Sequence, residues 1–174
     1  MAAVRKEVAI NINKKINVLE LGCGTGLLAE NLNLEFKNIV GVDISQNMLS
    51  VAHHKQIYES LVCSDSIDFL SNNNKKFDLI FSCSMIQYFS EKQLMLLFEL
   101  VNNTLKNTKS KFIFSFDIGN KNCINNKLFF EYTIDSMEKI TRKYFKSLKI
   151  QKLDFGRIEH KKVVQCGLVI CQKK

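Results

Sequence analysis

Apolar residues along this chain come in short unbroken runs, separated by stretches where they recur every three or four positions. The runs are INVLELG (16–22), NIVGVD (38–43), SLVCSD (60–65), FDLIFSCS (77–84) and KFIFSFDIG (111–119). Runs of this kind predict strands buried on both faces, as in a parallel sheet. The helical stretches between them are TGLLAENLNL (25–34), SQNMLSVAHHK (45–55), SIDFLSN (66–72) and SEKQLMLLFELVNNTLK (90–106). Ser45 is placed to cap the second of these. The last is the most regular. Leu94, Leu97, Phe98, Val101 and Leu105 fall at helical spacing, and Ser90 with Gln93 fits a capping box. Strands alternating with helices in this way predict a doubly wound α/β fold.

The pattern changes after residue 120. A polar stretch, NKNCINNK (120–127), leads to a helix near 134–145 and then to two strand-like runs, 146–155 and 163–172. The link between those runs is too short for a parallel crossover, so they pair antiparallel. The expectation is a mostly parallel seven-stranded sheet with helices on both faces and a C-terminal antiparallel β-hairpin. The chain then reads as one domain over 1–174, with a short N-terminal segment (1–15) and a C-terminal helix and hairpin (120–174).

Composition narrows the class. The chain has 174 residues and no proline. No apolar run approaches the ~18 residues of a membrane span, and the basic residues of MAAVRKEVAI are not followed by the apolar core of a secretory signal. A cytoplasmic setting without membrane partners is expected. Six cysteines, at 23, 63, 83, 123, 166 and 171, form no C-x-x-C pair and read as free, mostly buried thiols. His53 and His54 are adjacent rather than one helical turn apart, so no metal site is expected. The net charge of +8 comes mostly from lysines spread along the chain, not from a basic run interleaved with aromatics. A small-molecule partner is favoured, with nucleic acid or protein still possible.

The candidate chemistry sits in VLELGCGTG (18–26), a glycine-rich turn after the first strand. A dinucleotide site needs G-x-G-x-x-G. Counting from Gly22 and Gly24, the third glycine would be residue 27, which is Leu27. Glu20 would project near a bound pyrophosphate with its own negative charge, opposing it and favouring a cationic ligand. S-adenosyl-L-methionine (SAM), with its ammonium and sulfonium, is such a ligand. Asp43 ends the second strand, where an acid can accept hydrogen bonds from both ribose hydroxyls. That feature fits a nicotinamide dinucleotide equally. Asp65 ends the third strand, within reach of an adenine amino group or, alternatively, as the cap of helix 66–72.

Together VLELGCGTG, VGVD, SDS and FDLIFSCSMIQYF, followed by a helix and FIFSFD, resemble the class I SAM-dependent methyltransferases, most closely small members of the methyltransferase type 11/12 group. The likeness covers roughly residues 16–120. It implies SAM as cofactor and S-adenosyl-L-homocysteine (SAH) as product. It also implies that Glu20, Gly22, Cys23, Gly24 and Gly26 line the methionine moiety and that Asp43 holds the ribose. Ile44 would pack beside the adenine, Asp65 and Ser66 would face its far end, and Ser82 and Cys83 would lie beneath the sulfonium. The chain departs from relatives that carry Asn/Asp-Pro-Pro-Tyr after strand four, having Ser82-Cys-Ser-Met85 there. A base for an oxygen or nitrogen acceptor is sought among Tyr88, Asp117 and His160, with the acceptor between residues 84–89, 117–132 and 157–161. The alternatives are a nicotinamide-dependent oxidoreductase and a SAM-binding accessory protein without catalysis.

Overall fold

A computed structural model describes residues 16–32, 38–119, 124–125, 129–159 and 162–174. Its main sheet has seven strands in the order β3-β2-β1-β4-β5-β9-β8. The parallel part comprises β1 (Val18–Leu21), β2 (Ile39–Asp43), β3 (Ser60–Cys63), β4 (Leu79–Ser82) and β5 (Lys111–Ile118). Helices α1 (Leu27–Leu32), α2 (Gln46–His54), α3 (Ser66–Asn72) and α4 (Glu91–Thr104) connect them. A two-stranded ladder, β6 (Ile124–Asn125) with β7 (Phe129–Phe130), precedes α5 (Ile134–Tyr144). Then come β8 (Phe145–Glu159) and β9 (Lys162–Lys173).

The expected strands and helices are all present, the parallel strands with tighter ends, and residues 33–34 of the first expected helix lie outside the described residues. Ser45 Oγ accepts from Met48 N–H at 3.4 Å and caps α2, and Ser90 and Gln93 make both halves of the capping box on α4. The hairpin strands run further than expected, down to the pair Glu159↔Lys162, with a register irregularity between Lys152 and Gly156. β9 is not the edge strand. It lies between β5 and β8, antiparallel to both, so β8 runs parallel to β5.

Side chains leave a strand on alternate faces, so each strand serves two cores. Leu19, Leu21, Ile80, Phe112 and Phe114 face one side, where α3, α4 and α5 supply Leu70, Phe98 and Met137. Phe98 sits 5.1 Å from Phe114 and 5.7 Å from Phe145, ring centre to ring centre. Val18, Ile39, Phe81 and Ile113 face the other side against Leu28 and Leu32 of α1. Period two therefore sends Glu20 to the α1 face together with Val18. Gly167 in β9 leaves room for Phe116, whose ring would come within 2.4 Å of an added Cβ. Chain order reverses between β1 and β4, which places the switch point of the sheet, and its crevice, at the carboxyl ends of those two strands.

Candidate active site

The Gly22–Gly26 turn leaves β1 and leans on the end of β2. Gly22 N–H and Cys23 N–H both donate to Val42 C=O, at 2.8 and 3.0 Å. Asp43 fastens the arrangement. Its Oδ2 accepts from Gly24 N–H at 2.8 Å and its Oδ1 from Ser45 N–H at 2.9 Å. The carboxylate thus spans two loops and keeps lone pairs on both oxygens for a ligand. The glycines have different reasons to be there. An added Cβ on Gly22 would meet Met85, and one on Gly26 would meet the Tyr58 ring at 3.0 Å. Gly24, at φ +53°, faces open space. It is the glycine whose backbone a ligand can approach.

That space is a cleft of about 640 Å³, within the roughly 300–1,000 Å³ of small-molecule sites. Gly22, Gly24 and Asp43 form one side. Ile44 and Met48 add an apolar shelf, and Ile44 is 73% exposed, a large apolar area open to a flat partner. Asp65 and Ser66 are at the far side. Asp65 Oδ1 caps α3, accepting from Ile67 N–H at 2.7 Å and Asp68 N–H at 3.3 Å, while the residue still lines the cleft. The capping reading of Asp65 is observed, and its place in the cleft leaves the carboxylate open to a ligand. Ser66 Oγ donates to Met85 Sδ at 3.3 Å. Cys83, Ser84, Tyr88 and Gln93 complete the wall.

Four expected cofactor residues do not line the cleft, and one of them is Gly26, which abuts the Tyr58 ring. Glu20 is 2% exposed, beneath the turn, with Oε2 accepting from Tyr58 Oη–H at 2.5 Å. Burial, opposed by that bond and aided by Asp43, pushes its carboxyl up to about 8. Burial thus favours the neutral carboxyl, which weakens the charge that would oppose a pyrophosphate. Cys23 is buried and its thiol pushed far up, by burial first and then by Glu20 and Asp43. Ser82 is fully buried at the end of β4, with Oγ lacking a partner among the described residues. The next residue, Cys83, reaches the cleft instead.

Of the three base candidates, Tyr88 lines the cleft, 54% exposed, its ring 5.1 Å from that of Phe129. Asp117 ends β5 but is buried, with Cys166 Sγ at 3.7 Å from Oδ1, and does not line the cleft. His160 and residues 157–161 lie outside the residues whose side chains are described, as does much of 119–132. Tyr132 belongs to the core, its hydroxyl donating to Phe89 C=O at 2.7 Å. Cys23 and Cys171 are buried and Cys83 and Cys166 half-buried, but Cys63 is exposed on the edge strand β3. His53 and His54 are exposed on α2, and no metal-binding cluster occurs among the described residues. Sequence reading missed Tyr58, Met48, Ser64 and Gln93, whereas Met85 falls in the expected 84–89 segment. Only Tyr58 left a trace, in Gly41, whose added Cβ would meet that ring at 2.8 Å.

Residues 18–108, more than half of the chain, match the family model of a methyltransferase domain. The chain belongs to the methyltransferase domain family. This methyltransferase domain is 39% identical over 82 residues to malonyl-[acyl-carrier protein] O-methyltransferase of Priestia megaterium, covering 45% of this chain and 29% of that protein. It is 31% identical over 84 residues to ubiquinone biosynthesis O-methyltransferase of Coxiella burnetii, covering 46% of this chain and 36% of that one. The matched stretch thus spans under two fifths of the length of these relatives. Among solved structures, a SAM-dependent methyltransferase from Clostridium acetobutylicum superposes with TM-score 0.70 at 24% identity, covering 98% of this chain and 89% of that one. Magnesium protoporphyrin IX methyltransferase from Synechocystis with bound SAH superposes with TM-score 0.77 at 15% identity, covering 99% and 81%. The methyltransferase domain shares their fold.

Proposed function

We propose that this protein is a SAM-dependent methyltransferase acting on a small molecule, with its site in one domain over 1–174. The observation that carries the reading is the match of residues 18–108 to a methyltransferase domain, whose turn and Asp43 carboxylate, fixed by Gly24 and Ser45 N–H groups, stand at the rim of a cleft at the sheet's switch point. The residues fit the cofactor. Asp43 presents two acceptors to ribose hydroxyls, and exposed Ile44 offers an apolar face to adenine. Asp65 in the cleft wall offers a carboxylate that could accept from an adenine amino group, and open space at Gly24 would let the methionine chain pass close to the backbone. Family membership and the likeness of the fold to SAM-dependent enzymes support the same assignment.

When bound, SAM supplies a methyl group already activated by its sulfonium. The chain's own task is then to orient an acceptor in line with that group and to keep water out. Tyr88, exposed beside Cys83 in the cleft wall, would offer its hydroxyl as a hydrogen-bond partner that orients an acceptor. The relatives named as O-methyltransferases make oxygen acceptors the first to test. Calorimetry with SAM and SAH, followed by transfer of labelled methyl to a panel of hydroxyl and carboxyl compounds, tests the proposal. Absence of SAM binding at millimolar concentration would refute it. Binding without transfer to any acceptor would favour an accessory role.

A further inference from the structure

Beneath the cleft, and outside the chemistry derived above, lies a buried pair, Glu20 and Tyr58. Tyr58 comes from the connection between α2 and β3, which Glu59 N–H fastens to Ile39 C=O at 2.8 Å. Its ring runs under the start of α1 and across β2. Two glycines leave it that room. An added Cβ on Gly26 would lie 3.0 Å from Tyr58 Cε2, and one on Gly41 would lie 2.8 Å from Cε1. The ring ends in a hydroxyl that donates to Glu20 Oε2 at 2.5 Å. Glu20 lies four residues before Gly24, the glycine that faces the cleft. The cleft therefore has an acid directly under its cofactor turn, held by one donor on a ring wedged between two strands and a helix.

Resting on the reading of the cleft as a SAM site, we propose that Tyr58 is a positioning residue: it orients Glu20 under Gly22–Gly26, so that binding of a cationic ligand drives the Glu20 proton to solvent. Burial raises the carboxyl to about 8 and so favours its protonated form. A ligand ammonium over the turn favours the ionised form. The Tyr58 hydroxyl bonds that form in place and lowers the cost of ionising. The other titratable groups around Glu20 are Asp43 at the end of β2, Cys23 in the turn and Cys83 after β4; negative charge on any of them opposes ionisation. On the covering helices, Glu30 of α1 pairs with Lys55 of α2, and His53 and His54 are exposed. Among the described residues, no cation bonds to Glu20, so the balancing charge comes with the ligand.

The test is calorimetry of SAH binding to the whole chain between about pH 5.5 and pH 8.5, in buffers of different ionisation enthalpy to count protons. The wild type should release close to one proton per site near pH 6.5, where Glu20 starts protonated, and bind more tightly as pH rises. Tyr58→Phe keeps the wedge and removes the donor. It should bind about tenfold more weakly near pH 7, with its pH profile displaced to higher pH. Glu20→Gln should lose the proton release attributable to this site. The ligand's own amine titrates identically in every case, so the differences belong to the protein. An unchanged profile in Tyr58→Phe, or proton release that survives Glu20→Gln, overturns this inference while leaving the methyltransferase reading intact. A wild type that binds neither SAM nor SAH overturns both.

Discussion

Two of the three turn glycines, which look alike in VLELGCGTG, should part under mutation. Gly24→Val adds its side chain to open space at the rim of the cleft. SAH binding should be lost, while thermal melting falls only by the cost of a β-branched residue at positive φ, of order 1–2 kcal/mol. Gly26→Val drives into Tyr58 and should destabilise the fold by more than that. Differential scanning calorimetry with and without SAH separates the two. Asp43→Asn swaps one fixed acceptor for a donor facing a backbone N–H. It should weaken SAH about 10–100-fold, and an unchanged affinity would remove Asp43 from the site. Asp43 was legible because strand end and spacing alone place it. Glu20 was not, since its partner is 38 positions away and its burial depends on α1, α2 and the turn closing over it. Of Ser82 and Cys83, which the likeness set together beneath the sulfonium, only Cys83 lines the cleft. The strand's last turn of pleat, not its composition, decides whether Ser82 or Cys83 meets the cleft.

At the scale of elements, the apolar runs foretold the strands because parallel strands covered on both faces need nothing else. Ends were harder, since they depend on where neighbouring strands stop. The β6–β7 ladder and the single turn Ile86–Tyr88 are too short to leave a periodic signal. The insertion of β9 between β5 and β8 was likewise invisible in the hairpin's own pattern. It follows from matching faces, with Gly167 against Phe116 as the visible mark. Gly167→Val should therefore cost about 1–3 kcal/mol by forcing that ring aside. Ser90→Ala should cost about 1 kcal/mol by opening the capping box of α4. Urea denaturation of the two variants checks both values, and a larger loss for Ser90→Ala than for Gly167→Val would reverse the ranking argued here.

For the molecule as a whole, Glu20 gives stability a pH dependence of unusual sign for an acid. Its carboxyl is raised from 4.5 to about 8 on folding, so between those values the folded chain holds a proton that the unfolded chain has released. Its contribution is fully present below about pH 4.5 and is lost as pH rises through about 8. Wild type should lose a few kcal/mol of stability relative to Glu20→Gln between about pH 5 and pH 8. Parallel urea titrations at those pH values measure the difference, and parallel behaviour of the two proteins would place Glu20 in a more solvated setting than the one described. The order of the sheet has a further consequence, for how the chain is made. β8 leaves the ribosome before β9 but has no strand to join until β9 arrives to link it with β5. A nascent chain stalled after Glu159 would hold a five-stranded sheet with an uncovered edge at β5 and a loose fifteen-residue strand beside it, a form in which β5 is open to pairing with other chains.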